Sequence, residues 1–255
     1  MAGIDIRVFD SEAALAAAAA DHVSTRLKEL LARQDEATVM FATGTSQVHF
    51  LAELVRRQGI DWGRVRMCHL DEYLGLPPDH PASFVRFLRE RVVDQLPLKN
   101  CTLIDGMAPD PRAECIRLAG VLRSRPVDLA LVGIGENGHL AFNDPPADFE
   151  TTAPYIVVEL DDACRHQQVG EGWFPDIDDV PERAISASIN FILSAGCISC
   201  TVFGGRKMEA VKRCFTGDIS PLAPASALRR HTDAVIWLDR ESAALLGRSG
   251  GPRPC

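Results

Sequence analysis

Apolar residues along this chain come in short runs separated by amphipathic stretches, and the two patterns alternate from end to end. The runs are "IDIRVF", "ATVMFA", "RVRMCHL", "VDLALVGI", "CISCTVFG" and "DAVIWL". Several of them, "VDLALVGI" above all, lack the in-out alternation of a half-exposed sheet, and strands of that kind are buried on both faces. Between the runs, the spacing predicts a helix from Ser11 to about Ala32, with Ser11 as its N-cap. In "QVHFLAELVRRQG", Val48, Leu51, Leu54 and Val55 fall at helical intervals, and Gly59 closes the element. "VRFLRERVVDQL", "AECIRLAGVLRSR" and "RKMEAVKRCF" read as further helices, and a short one follows "DAVIWL". Strands alternating with helices give an α/β fold: an open, doubly wound, mostly parallel sheet with helices on both faces.

The pattern fades over residues 143–183, where "NDPPADFETTAP" and "HQQVGEGWFPDIDDVPER" gather Pro, Gly and acids. A long irregular stretch in a compact domain is commonly functional, so this segment is expected to be a lid over a site. With no repeats and no internal linker, residues 1–246 are expected to form one domain, and 247–255 a flexible tail.

Composition narrows the partners. The 255 residues carry a formal net charge of −8, and the 27 Lys and Arg are scattered, which leaves no basic field for nucleic acid. No apolar run approaches the ~20 residues that cross a bilayer, and the N-terminus lacks the basic start of a signal peptide, so no membrane partner is expected and the chain is read as cytoplasmic. The eight Cys lie mostly in apolar segments, as reduced thiols do. Cys197 and Cys200 form a single C-x-x-C inside a strand-like run, without a second pair or a His pair, which argues against zinc.

In open α/β sheets, ligands bind outside the carboxyl ends of the strands, so the turns that follow the strands carry the candidate chemistry. Thr43-Gly44-Thr45-Ser46 offers a glycine, hydroxyls and helix-starting amides, a natural anion site; its spacing is not that of a P-loop. Asp71 and Glu72 follow the third strand. On an extended segment they point to opposite sides, so one of them can face a cleft as a base. The competing reading has Asp71 capping a turn and Glu72 solvated or ion-paired. The third turn, "GIGENGHLAFND", brackets His139 with Gly133, Gly135 and Gly138 and keeps Asn137, Asn143 and Asp144 within reach. An imidazole oriented by an amide or a carboxylate is a proton shuttle near neutral pH.

Five segments, "ATGTSQ", "HLDEYLGLPPDHPASF", "VDLALVGIGENGHLAFNDP", "VFGGRKMEAVK" and "APASALRRH", resemble in order and spacing the glucosamine-6-phosphate deaminase/isomerase family. The glycine-rich loop ending in His is shared with 6-phosphogluconolactonases, but the "DEY" and "GHLAFN" segments look like the deaminase branch. The resemblance implies a Rossmann-like sheet and conversion of glucosamine 6-phosphate and water to fructose 6-phosphate and ammonia, with no metal or organic cofactor. It makes Asp71 the base between C2 and C1, His139 the ring-opening group and Asp144 its orienting partner. It also implies that Thr43, Gly44, Thr45, Ser46, Gly138 and Lys207 hold the substrate and its phosphate. Three positions depart from the family pattern. Asn137 replaces an Asp beside the loop His, Asp144 replaces a Glu, and Gly172 falls where a phosphate-binding Arg is common, leaving Arg165 or Gln168 as the candidate to replace that Arg. The partner the resemblance implies is a phosphorylated amino sugar, and a homo-oligomer is left open. A non-catalytic sugar-phosphate sensor would need a fused DNA-binding segment, and the sequence contains no basic recognition helix.

Overall fold

The computed structural model describes residues 4–123 and 125–247. Its strands are β1 (Asp5–Phe9), β2 (Ala37–Phe41), β3 (Val65–His69), β4 (Asp71–Tyr73), β5 (Asn100–Thr102), β6 (Leu129–Val132), β7 (Tyr155–Glu159), β8 (Arg183–Ala187), β9 (Cys197–Val202) and β10 (Ala234–Asp239). The helices are α1 (Glu12–Arg33), α2 (Thr45–Leu54), α3 (Phe84–Leu88), α4 (Pro111–Leu122), α5 (Asp162–Gly170), α6 (Ile189–Leu193) and α7 (Met208–Thr216).

Seven strands form one all-parallel sheet in the order β1-β10-β9-β6-β2-β3-β5. Successive side chains along a strand face opposite ways, so each central strand supplies two cores. Val39, Phe41, Leu129, Leu131 and Trp237 pack with α1 and α2 on one face. Met40, Ala130, Val132, Ile198 and Ile236 pack with α4, α6 and α7 on the other. The same alternation separates Cys197 from Cys200, which enter opposite cores and do not form a paired site. Ser11 caps α1 through the Ala14 amide at 3.2 Å, and the buried stripe Leu15, Ala19, Val23 and Leu27 recurs every four residues.

A second sheet, β4-β8-β7, is antiparallel and has no counterpart in the hydrophobic pattern. Leu70 joins the two sheets: its amide donates to the Phe41 carbonyl, and its own carbonyl accepts from Ala187. The segment expected to be irregular, 143–183, therefore holds β7 and α5, while residues 143–154 and 171–182 lack regular structure apart from a single 3₁₀ turn at Ile177–Asp179. Two helices also differ from expectation. α2 ends at Leu54, short of Gly59, and the helix from Phe84 widens at Arg89–Val93 into a π-turn closed by the Asp94 amide on the Arg89 carbonyl. After β10 the chain forms turns instead of a helix, because Asp239 and Ser242 bond each other's backbone. The expected tail lies almost wholly outside the described residues. Among the described residues no helix is long and apolar enough to cross a membrane.

Candidate active site

Because the large sheet is parallel, the carboxyl ends of all its strands lie along one edge. Four adjacent strands, β9, β6, β2 and β3, are followed there by Lys207, the His139 loop, the Thr43–Ser46 turn and Asp71. All four border one cleft of about 550 Å³ including its open mouth.

At one end the backbone does the work. Gly44 sits at φ +94°, a left-handed conformation that costs glycine nothing, and this turns the chain from β2 into α2. No side chain caps α2, so its first amides stay available to an anion. Lys207 follows β9 in a tight turn, where the Asp239 carboxylate accepts from the Gly204 amide. Its side chain is only 7% exposed, and burial holds its ammonium below the usual lysine range despite Glu171, which pulls the other way.

At the other end, titratable side chains converge. Asp71, 6% exposed, faces the cleft, and burial pushes its carboxyl well above the ordinary range, with the neighbouring Glu72 charge adding to the shift. Glu72 points the opposite way, as strand alternation requires. It is neither solvated nor ion-paired: it accepts from the amides of Tyr73, Phe84 and Val85 and from the Ser83 hydroxyl at 2.7 to 3.2 Å, tying β4 to the start of α3. The capping role considered for Asp71 thus belongs to its neighbour.

In the loop after β6, the His139 ring lies directly on Gly135, where a Cβ would come within 2.2 Å of the ring, so only glycine fits. His139 Nδ1 meets Asp144 Oδ1 at 3.0 Å. The Asn137 amide group donates to the same oxygen at 2.9 Å and to both oxygens of Asp161 at 3.2 and 3.4 Å, and its carbonyl oxygen accepts from the His139 amide. The Asp161 amide donates to Asp144 Oδ2 at 3.1 Å. Burial alone would raise the Asp144 carboxyl, but the contacts with His139, Asn137 and Asp161 carry it below the usual range. A carboxylate on Nδ1 leaves Nε2 for proton transfer toward the cleft. Cys164 completes a His139-Asp144-Cys164 cluster with ligand atoms within 4.8 Å of one another. Burial pushes its thiol well above the usual range, with the neighbouring Asp144 and Asp161 carboxylates adding to the shift.

Asn137 and Asp144 stand behind His139 and do not line the cleft themselves. Gly138, at φ +90°, backs onto Arg213, Cys214 and Ala223 and also lies outside it. Arg165 is not in the cleft: its guanidinium donates to the carbonyls of Ile177 and Val180. Helical geometry explains this. Cys164, Gln167, Gln168 and Glu171 share the inward face at i, i+3, i+4 and i+7, and Arg165 falls off it. Gln168 does line the cleft and accepts from the Tyr73 hydroxyl at 2.7 Å. Gln167, Glu171 and Asp161 were not singled out from the sequence, although that spacing was there to be read.

The family model described as glucosamine-6-phosphate isomerases/6-phosphogluconolactonase matches residues 10–237. A glucosamine-6-phosphate deaminase of Bacillus cereus (strain G9842) is 36% identical over 219 residues, covering 86% of this chain and 82% of that protein. One from Bacillus thuringiensis (strain Al Hakam) is 37% identical over the same length. Among solved structures, a monomeric glucosamine-6-phosphate deaminase superposes with a TM-score of 0.87 at 31% identity, covering 95% of this chain and 100% of that one. A 6-phosphogluconolactonase from Shewanella baltica OS155 reaches a TM-score of 0.76 at 20% identity, over 92% of this chain and 97% of that one, a likeness of fold.

Proposed function

The chain belongs to the family of glucosamine-6-phosphate isomerases and 6-phosphogluconolactonases, and on that premise we propose that it is a glucosamine-6-phosphate deaminase. It converts glucosamine 6-phosphate and water to fructose 6-phosphate and ammonia. One observation carries the reading: a buried carboxyl and an oriented imidazole, delivered by separate strand-end turns, face the same cleft as an uncapped helix start and a buried lysine.

The Thr43–Ser46 turn and Lys207 hold the phosphate, remote from the reacting carbons, so its binding energy positions the sugar. His139, held by Asp144, takes the O1 proton and delivers one to the ring oxygen, which opens the pyranose. Asp71 then removes the C2 proton while a proton passes from the substrate's ammonium to O1, giving the neutral enolamine, and returns its proton to C1 to leave an iminium at C2. The resulting C2 iminium takes up water, and the C–N bond breaks to leave the ketone and ammonia. Every step moves protons or water, and no oxidant enters. The raised carboxyl of Asp71 suits this work, since a base poised nearer neutrality both accepts and returns a proton. The substrate's own ammonium, next to Asp71, favours the ionised carboxylate on binding. The described cysteines are free thiols, in keeping with the reducing cytoplasm.

Purified protein given glucosamine 6-phosphate should release ammonia and fructose 6-phosphate in equal amounts. Silence there, with rapid hydrolysis of 6-phosphogluconolactone, would overturn the assignment.

A further inference from the structure

The anion end of the cleft contains an anion of the protein's own. Glu171 follows directly on α5, its side chain is 8% exposed, and it borders the cleft. Its Oε1 lies 3.6 Å from Lys207 Nζ. The carboxylate is held there: Gln167 Nε2 donates to Oε1 at 2.7 Å and Trp173 Nε1 to Oε2 at 3.2 Å. Gly172, at φ +82°, turns the chain immediately after it.

We propose that Glu171 stands in for the substrate's phosphate on Lys207 and must release the lysine before a phosphate ester binds, so that this residue sets the affinity of the cleft for phosphorylated sugars. The proposal rests on the reading of the Thr43–Ser46 turn and Lys207 as the phosphate site.

Among the described residues Lys207 is the lysine or arginine that lines the cleft, and Glu171 lies beside it as its counter-charge. A phosphate dianion arriving at the uncapped start of α2 meets that carboxylate in a desolvated site, where like charges repel strongly. The displaced carboxylate has a destination. Arg206, the residue before Lys207, donates to the Gly170 carbonyl at 3.3 Å and pairs with Glu136 at 2.9 Å, so a second cation lies beside the turn that carries Glu171. Phosphate takes Lys207, and Glu171 moves toward Arg206. The pair also keeps a buried ammonium charged and in place.

Inorganic phosphate titrated calorimetrically into wild type, Glu171→Gln, Lys207→Ala and the double variant tests this. Glu171→Gln, which keeps the shape and the Gln167 contact, should bind phosphate about tenfold more tightly, a gain of the size expected when one desolvated like charge is removed. The gain should shrink in the Lys207→Ala background, because the part that comes from Glu171 occupying Lys207 is lost and only direct repulsion of the phosphate by the carboxylate is left. KM for glucosamine 6-phosphate should fall in parallel. Equal or weaker phosphate binding by Glu171→Gln would overturn the proposal and make the carboxylate a mere support for Lys207. A second readout needs no Glu171 variant: Trp173 donates to this carboxylate, so its fluorescence should change as phosphate saturates the wild type. An unchanged Trp173 signal at saturation would also overturn the proposal. If phosphate binds but glucosamine 6-phosphate is not turned over, the deaminase reading fails while the Glu171 result still stands.

Discussion

The two ends of the cleft are built from different materials. At the reaction end the working groups are side chains, and each is conditioned by its surroundings: Asp144 by His139, Asn137 and the Asp161 amide, and Asp71 by burial beside Glu72. At the anion end the backbone leads, through a left-handed glycine and an uncapped helix, and the charged side chains Lys207 and Glu171 cancel. Moving protons requires groups whose pKa values the surroundings have shifted. Holding a phosphate requires only donors in place. Substitutions at the first end should therefore act on kcat, and those at the second on KM.

The largest expected effect is at Asp71. Asp71→Asn should lower kcat by about 10³-fold, within the range for a lost general base, while substrate affinity measured by calorimetry changes little. Next is Lys207→Ala, which should raise KM roughly 10- to 100-fold, as for a lost charged hydrogen bond, with a smaller change in kcat. If kcat falls as far as KM rises, the division between the two ends is wrong.

Asn137→Asp is a finer test. The Asn137 amide group is the donor that bridges Asp144 and Asp161. A carboxylate there would gather three acids around His139, so kcat should fall about tenfold, a typical cost for disturbing a supporting hydrogen-bond partner. Moving the amide across, with Asn137→Asp and Asp161→Asn together, should restore most of the rate, since Asn also serves as an N-cap for α5. A rate increase in the single variant would show that Asn137 does not hold the pair.

The smallest effect is on the stability of the scaffold beneath the reaction end, and it shows in the pH dependence. The ring of His69, at the end of β3 two residues before Asp71, is fully buried with neither nitrogen bonded, and burial pushes its pKa from 6.5 down to about 3. Its folded-state value is depressed, so the neutral ring stabilises the fold fully above about pH 6.5, and that contribution drains away as pH falls toward 3. Thermal unfolding followed from pH 7 to 4 should show a falling Tm, and His69→Gln should flatten the slope. Parallel slopes would remove His69 as the cause.

The parallel sheet was legible because strands buried on both faces leave unbroken apolar runs, and Ser11 marked the start of α1. The second sheet was not. β4 reads Asp71-Glu72-Tyr73, and its acids gave no hint of a strand that pairs with β8. α5 escaped notice because its inward face looks into a cleft instead of a core, so Gln167 and Gln168 stand where apolar residues would signal a helix. The turns that follow β2, β3 and β6 were readable from strand ends alone, as was a general acid/base use for Asp71 and His139, while the turn after β9 with Lys207, and the specific role of each residue, came from the family resemblance. Arg165 was mistaken for an anion ligand because charge without helical phase does not say which way a side chain points.

Deuterium uptake tests the central claim most directly, because it watches the carbon-bound proton that Asp71 is held to move. In D₂O the wild type should convert glucosamine 6-phosphate to fructose 6-phosphate carrying deuterium at C1, and Asp71→Asn should bind the sugar phosphate yet transfer neither deuterium nor ammonia. Undiminished C1 labelling by Asp71→Asn would contradict the account.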